Sequence, residues 1–253
     1  MPTPKKPVIK LILKDIRTGQ TYLVKDLCTS YLTSYGKISK DDLNNNKKTI
    51  IESDKKRIFA KYKPTFCDFK ENLLRAPQIM QDKDIGLIIA KTGINKTSTV
   101  VDAGAGSGAL TLSLANICKH VTSYDTNKEH LDVVKKNAIL TNLTNVTLKQ
   151  GDVAKDLSET NLDLIPLDLP RPWEVLTKAS IALKQGAHLV VYLPNIIQIQ
   201  TTLKELQNHK NLSLIEMTEL IKRDWKVAPK QDTLRPEHTQ NVHTGFLLFI
   251  RKF

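Results

Sequence analysis

From about residue 71 onward the apolar positions of this 253-residue chain switch repeatedly between two spacings. Short continuous apolar runs at 99–101, 120–124, 146–149, 162–167 and 187–193 have the length and β-branched content of buried strands. Between them, residues 83–91, 110–118, 128–140, 173–183 and 196–208 carry apolar side chains at helical intervals. Strands alternating with helices predict a mostly parallel sheet covered on both faces. The last two strands, 212–220 and 245–251, have no helix between them and predict an antiparallel edge. The pattern is that of a Rossmann-like α/β fold with a seven-stranded sheet.

Residues 1–68 differ. Short β-leaning segments at 8–13, 21–24, 49–52 and 57–61 are separated by turn-rich pieces at 17–20 and 41–48. They predict a small β-rich N-terminal domain (1–68) ahead of the larger α/β domain (69–253).

Composition excludes more than it selects. No apolar run approaches the roughly 20 residues a membrane helix needs, and the first ten residues do not read as a secretory signal. The three cysteines, Cys28, Cys67 and Cys118, form no CxxC pair and read as buried thiols of a reducing, cytoplasmic compartment. The six histidines lack metal-ligand spacing, so no metal is expected. A net charge of +12 points to a polyanionic partner, or to a surface of solvated lysines.

The chemistry concentrates in Val101-Asp102-Ala103-Gly104-Ala105-Gly106-Ser107-Gly108-Ala109-Leu110. A strand runs into three glycines spaced two apart and then into a helix, so the backbone turns sharply where a ligand can lie against it. A dinucleotide fingerprint would read GxGxxG, with its pyrophosphate on the helix start. The GxGxG spacing with a preceding acid instead resembles class I S-adenosylmethionine methyltransferases, whose cofactor has no phosphate to cradle. Three more acids, Asp125, Asp152 and Asp168, fall at successive strand ends, where sheets of this kind bind ligands. Asp125 is placed to accept from ribose hydroxyls and Asp152 from an adenine amino group, with Val153 beside the ring. Each acid taken singly also fits an ordinary solvated loop residue.

The remaining motifs are more specific. Leu74-Arg75-Ala76-Pro77-Gln78-Ile79 and Lys63-Pro64-Thr65 precede the glycine loop. Asp168-Leu169-Pro170-Arg171-Pro172-Trp173-Glu174-Val175-Leu176, Leu193-Pro194-Asn195 with Gln198, and Val242-His243-Thr244-Gly245-Phe246-Leu247 follow it. Together they resemble the tRNA (adenine-N1)-methyltransferases of T-loop adenines, most closely the archaeal type acting at tRNA positions 57 and 58. The resemblance implies S-adenosylmethionine as methyl donor, tRNA as substrate and a homotetramer. It places Gln78, Asp102, Gly104, Ala105, Gly106, Ser107, Gly108, Ala109, Leu110, Asp125, His130, Asp152, Val153 and Asp168 around the cofactor. Asp168 becomes the catalytic carboxylate, and Pro170, Arg171, Tyr192, Arg235 and His243 lie on the substrate side.

Chemistry agrees with that reading. Amino-nitrogen methyltransferases commonly carry [DN]PP[YF] where this chain has Asp168-Leu169-Pro170-Arg171, which disfavours an exocyclic amino target. Adenine N1 has its own lone pair, and a carboxylate accepting from the neighbouring amino group stabilises the charge that develops. Asp168 as a mere helix cap is the plainer alternative. Arg171, Lys222, Arg223, Lys226 and Arg235 are candidates for holding phosphates. His243 either orders the site or makes a structural bond to a loop. The N-terminal module has three open roles: tRNA docking, oligomer contact or packing. Two departures stand out. Relatives often carry an aromatic or His before Pro-Lys-Asp where this chain reads Gln81-Asp82-Lys83-Asp84, leaving Tyr192 or Trp225 to supply any stacking ring. His130 stands where relatives have Arg. Competing readings are another RNA or protein methyltransferase, a silent tRNA-binding partner subunit, and a nicotinamide oxidoreductase, which the glycine spacing disfavours.

Overall fold

The computed structural model describes residues 9–74, 79–228, 233–239 and 242–253. The chain divides into two compact units, Met1–Leu74 with Lys136–Thr144, and Arg75–Lys135 with Asn145–Phe253.

The first unit contains β1 (Leu11–Asp15), β2 (Thr21–Val24), β3 (Tyr31–Thr33), β4 (Gly36–Ile38), α1 (Lys40–Asn44), β5 (Ile50–Glu52), β6 (Ile58–Tyr62) and α2 (Phe66–Lys70). Four strands pair antiparallel in the order β2-β1-β6-β5, and β3 and β4 form a separate hairpin that the apolar pattern did not show. Alternation in β1 turns Leu11 and Leu13 onto a core with Val24, Ile38, Leu43, Ile51 and Phe59. Asp15 closes β1 with no exposed surface. It accepts from Arg57 Nε at 2.7 Å and from the amides of Arg17 and Thr18. Arg57 also lies over the Tyr35 ring, 4.5 Å from its centroid. The expectation of three buried cysteines fails here. Only Cys118 is buried; Cys28 sits in a turn whose amide donates to Asp26, and Cys67 lies on α2, which buries none of its residues.

The second unit follows the order α3 (Asp82–Thr92), β7 (Thr99–Ala103), α4 (Ala109–Ala115), β8 (His120–Asp125), α5 (Lys128–Thr141), β9 (Val146–Gln150), α6 (Val153–Asp156), β10 (Leu162–Leu167), α7 (Leu176–Ala182), β11 (Leu183–Leu193), α8 (Ile196–Leu206), β12 (Leu212–Glu219), β13 (Trp225–Ala228), β14 (Thr233–Pro236) and β15 (Phe246–Lys252). The C-terminal half of α5 counts with the first unit. Seven strands form one sheet in the order β12-β15-β11-β10-β7-β8-β9. The four pairings from β11 to β9 are parallel, and β15 runs antiparallel to both β11 and β12. The antiparallel strand is therefore inserted one place in from the edge. Its Leu247, Leu248, Phe249 and Ile250 are all buried, which an edge position would not achieve.

Three local differences have simple causes. The segment predicted as one helix over 173–183 splits into a 3-10 turn (Pro172–Val175) and α7, because Pro172 starts the turn and the chain extends again at Leu183. β11 begins at Leu183 rather than Ala187; polar Lys184 and Gln185 hid its first half, while buried Leu183 pairs with Leu162. The hairpin β13–β14 interrupts the two terminal strands, and its exposed alternation left no core signal.

Asp15 yields a pH test. The Arg57 hydrogen bond, outweighing burial, holds its carboxyl down at about 2. A depressed carboxyl pKa contributes stability that is present above the unfolded value and lost as pH falls through the folded one. Amide exchange of the β1–β6 pair is expected to stay slow down to pH ~4 and to accelerate between pH ~4 and ~2. Arg57→Met should speed exchange at pH 7 and flatten that acid limb.

Candidate active site

The register of the parallel strands places the candidate residues in one row. Leu167 pairs with Ala103 and Val191, and Ala103 pairs with Tyr124. One residue further along, Asp125, Gly104, Asp168 and Tyr192 stand side by side at the C-terminal strand ends. The row is tied across the sheet, since the Asp168 amide donates to Ala103 O at 2.9 Å and the Gly104 amide to Tyr124 O at 3.0 Å.

Gly104 is the closest point of the row. It has φ +95°, and a Cβ there would lie 2.1 Å from the Asp168 carbonyl oxygen. No side chain fits that approach. Beyond it the loop turns its amides inward: Ala105 donates to Tyr124 O at 3.2 Å and Gly106 to Asp125 Oδ2 at 3.2 Å. Gly108 precedes α4, whose first residues Ala109 and Leu110 are buried, as is Ser107. These last three residues pack the loop rather than line the cleft.

The four acids occupy different environments. Asp102 is buried. Its Oδ2 accepts from Thr111 Oγ1 at 2.5 Å and Ser123 Oγ at 3.3 Å, while Oδ1 has no partner among the described residues. Burial pushes its pKa up to about 7, and the Asp168 charge adds to the rise. Asp125 Oδ1 accepts from the Asn127 amide, and Oδ2 faces His130 Nδ1 at 3.0 Å. Asp152 caps α6 by accepting from Ala154 N at 3.0 Å. Asp168, at the end of β10, has no side-chain hydrogen-bond partner among the described residues, and burial pushes its pKa up to about 6. At neutral pH it is a poorly solvated carboxylate.

Two of these acids, Asp125 and Asp152, line a cleft with Gly104, Val153 and Leu169, and Ala103, Tyr124, Thr126 and Gly151 complete its wall. Its chemistry suits a nucleoside: acids at two strand ends, apolar faces from Val153 and Leu169, and a backbone approach at Gly104 that a Cβ would fill. Leu169, Thr126 and Gly151 were absent from the sequence-derived set. Each adjoins a residue that was included, and that adjacency was the only signal.

The substrate-side candidates are more scattered. Pro170 O accepts from Gln198 Nε2 at 2.9 Å, which ties α8 to the segment after Asp168. Arg171 is exposed and paired with Glu174 at 2.9 Å. Arg235 lies on β14 opposite Lys226 and bonds the Pro236 carbonyl. Trp225, on β13, is exposed. Tyr192 is half-buried, with its hydroxyl donating to Thr244 O at 2.6 Å. His243 faces Glu219 Oε1 with Nδ1 at 2.6 Å and Pro194 O with Nε2 at 3.1 Å. A carbonyl only accepts, so Nε2 carries a proton. The Glu219 carboxylate asks the same of Nδ1 and raises the imidazole pKa. This bonding is that of the loop-holding alternative for His243. Gln78 lies outside the described residues.

The chain is similar to proteins of known activity. The family described as the tRNA methyltransferase complex GCD14 subunit matches residues 63–234. The tRNA (adenine(57)-N(1)/adenine(58)-N(1))-methyltransferase TrmI of Methanocaldococcus jannaschii is 32% identical over 92% of both chains. The tRNA (adenine(58)-N(1))-methyltransferase TrmI of Thermus thermophilus is 31% identical over 76% of both. Among solved structures, the Aquifex aeolicus tRNA (m1A58) methyltransferase TrmI superposes with a TM-score of 0.75 at 26% identity, covering 96% of each chain. A Thermotoga maritima SAM-dependent O-methyltransferase superposes with a TM-score of 0.79 at 27% identity, covering 98% of this chain and 94% of its own.

Gly104→Ala tests the row directly. The added methyl meets main-chain oxygen rather than a flexible side chain, so β7 and β10 must separate at their ends. Calorimetric titration with S-adenosylmethionine is expected to show binding weakened by at least about tenfold, with folding stability lowered by about the size typical of backbone strain, ~1–3 kcal/mol.

Proposed function

The chain belongs to the GCD14 family of tRNA methyltransferases, and on that premise we propose that it methylates N1 of a T-loop adenine in tRNA. Position 58 is the expected target, with position 57 a second one as in the Methanocaldococcus jannaschii relative. The observation that carries this reading is Asp168, a largely buried carboxylate beside the Gly104 loop with no side-chain hydrogen-bond partner among the described residues.

S-adenosylmethionine, when bound, supplies an electrophilic methyl group on a sulfonium. Asp125 and Asp152 would hold its nucleoside half, with Val153 and Leu169 against the base and Gly104 permitting close approach. Asp102 works from beneath, since Thr111 of α4 and Ser123 of β8 converge on it and so brace the loop. His130 braces Asp125.

On the substrate side, Asp168 accepts from the amino group of the target adenine. That raises electron density at N1 and stabilises the positive charge arriving there as the N1–methyl bond forms. The carboxylate can then take the amino proton, leaving a neutral product. N1 has its own lone pair, so the reading asks nothing of a metal. The adenine must leave its stack to reach the strand ends, at a cost of a few kcal/mol. The surplus of positive charge compensates through phosphate contacts. Lys226 and Arg235, neighbours on one face of the β13–β14 hairpin, are the best-placed cations for that contact.

The opposite face of the same hairpin supports the homotetramer. Trp225 pairs with Pro236 and Val227 with Leu234, and Trp225, Val227 and Leu234 are all more than half exposed. Exposed apolar residues continue along edge strand β12 at Ile215 and Met217. Such a strip on an edge strand and ribbon fits another copy of the chain. No helix among the described residues is long and apolar enough to cross a membrane, and we place the enzyme in the cytoplasm with its substrate.

Methyl transfer from labelled S-adenosylmethionine to unmodified tRNA, read by nucleoside mass spectrometry, is the deciding experiment. Wild type should make N1-methyladenosine. Asp168→Ala should lose about 10²–10³-fold in kcat, as for loss of one preorganised charge-stabilising group, with cofactor affinity unchanged within about twofold. Because the raised pKa of Asp168 keeps it protonated below about pH 6, kcat should fall about tenfold per unit of pH below that value. Asp168→Asn should abolish that limb. A folded, cofactor-binding wild type that makes no N1-methyladenosine sinks the reading. Separately, Trp225→Glu is expected to shift the sedimentation coefficient from tetramer toward smaller species.

A further inference from the structure

Lys83 and Asp84 are neighbours at the start of α3, and both are buried, with side-chain exposures of 8% and 0%. Adjacent helical residues diverge by ~100°, yet Lys83 Nζ reaches Asp84 Oδ1 at 2.9 Å. A buried ion pair is weak evidence for stability, because apolar residues often serve as well. What this pair does is converge on Thr244, 160 residues later in the chain.

The Thr244 hydroxyl accepts from Lys83 Nζ at 2.5 Å and donates to Asp84 Oδ2 at 2.9 Å. Its proton and a lone pair are both engaged, so its rotamer has no freedom. Thr244 O in turn accepts from the Tyr192 hydroxyl at 2.6 Å. The next residue, Gly245, lets the ring lie against the backbone, since a Cβ there would sit 2.6 Å from Tyr192 Cζ. His243 secures the same turn from the other side through Glu219 and Pro194 O. The chain of bonds ends at Tyr192, the register neighbour of Asp168 on the adjoining strand. Burial, with the charges of Asp84 and Asp168, pushes the phenol up to about 12, so it remains a hydrogen-bond donor throughout the working range.

We propose that Lys83, Asp84 and Thr244 are positioning residues for methyl transfer, which lock Tyr192 as a fixed wall of the pocket where the target adenine faces Asp168. This rests on the assignment of Asp168 as the carboxylate that receives the base.

Thr244→Val keeps the shape and removes the hydroxyl, and Thr244→Ser restores it. With saturating S-adenosylmethionine and unmodified tRNA, Thr244→Val is expected to lose about tenfold or more in kcat, within the range that small misplacements cost. KM for tRNA and Kd for S-adenosylmethionine should stay within about twofold, and Thr244→Ser should return to within about threefold of wild type. Tyr192→Phe removes the other end of the lock. In the double variant Thr244→Val/Tyr192→Phe the loss should not exceed the larger single loss, because residues acting through one path are not additive. A folded Thr244→Val enzyme with wild-type kcat overturns the proposal, as do losses that multiply in the double variant. If wild type makes N1-methyladenosine and loses it in Asp168→Ala while Thr244→Val stays active, only the positioning role fails. If wild type makes none, the assignment of Asp168 fails first.

Discussion

The backbone of Gly104 lying against the main-chain carbonyl of Asp168 is the constraint on which the rest of the site depends. Parallel pairing of β7 with β10 brings the two residues side by side, and the positive φ of Gly104 turns the chain away immediately afterwards. A side chain at that point would force the strand ends apart. With the contact made, the amides that follow turn toward Tyr124 and Asp125. Cofactor-side and base-side groups then sit within one strand spacing of each other. That nearness is what an in-line transfer needs, since most of the gain from a bound pair of reactants comes from alignment.

Electrostatics reinforce the geometry. The chain is strongly basic, yet its strand ends carry Asp102, Asp125, Asp152 and Asp168. Asp102 shares its burial with two hydroxyls and serves the loop. Asp168 has no hydrogen-bond donor among the described residues, which costs stability in a low-dielectric site. On the role proposed for Asp168 this suits catalysis, because a carboxylate already satisfied by the protein could not respond to an arriving amino group. Folding stability and reactivity are opposed at this one residue.

The site is also held from outside the sheet. α3, the turn at Thr244 and the end of β11 meet through Lys83, Asp84 and Tyr192, and Gln198 of α8 holds Pro170. Helices on the sheet face therefore fix the loops at its edge. Loops alone would leave a base-sized pocket with soft walls.

Much of this was legible in the residues. The apolar runs of β7, β8 and β10 marked themselves because both faces of a central parallel strand are buried. The glycine spacing and the acids at strand ends stood out as candidates for the cofactor side, since backbone approach and charge placement are local demands. The β3–β4 and β13–β14 hairpins left no such mark, because ribbons with little core have no burial period. Nor could the sequence show which candidates touch the site. Arg171 turned out to be an exposed partner of Glu174, and Ala109 and Leu110 to be packing residues. Lys83, Asp84 and Thr244 stood in quoted motifs but without a role. By itself the sequence determined the order of strands and helices, the glycine turn and the acids at strand ends, because each is set by a few adjacent residues. Only the tertiary structure decided that β15 inserts beside β11, that Asp168 meets no donor among the described residues and that Thr244 meets Asp84. Those outcomes depend on contacts between segments far apart in the chain, and no local pattern encodes a distance across a fold.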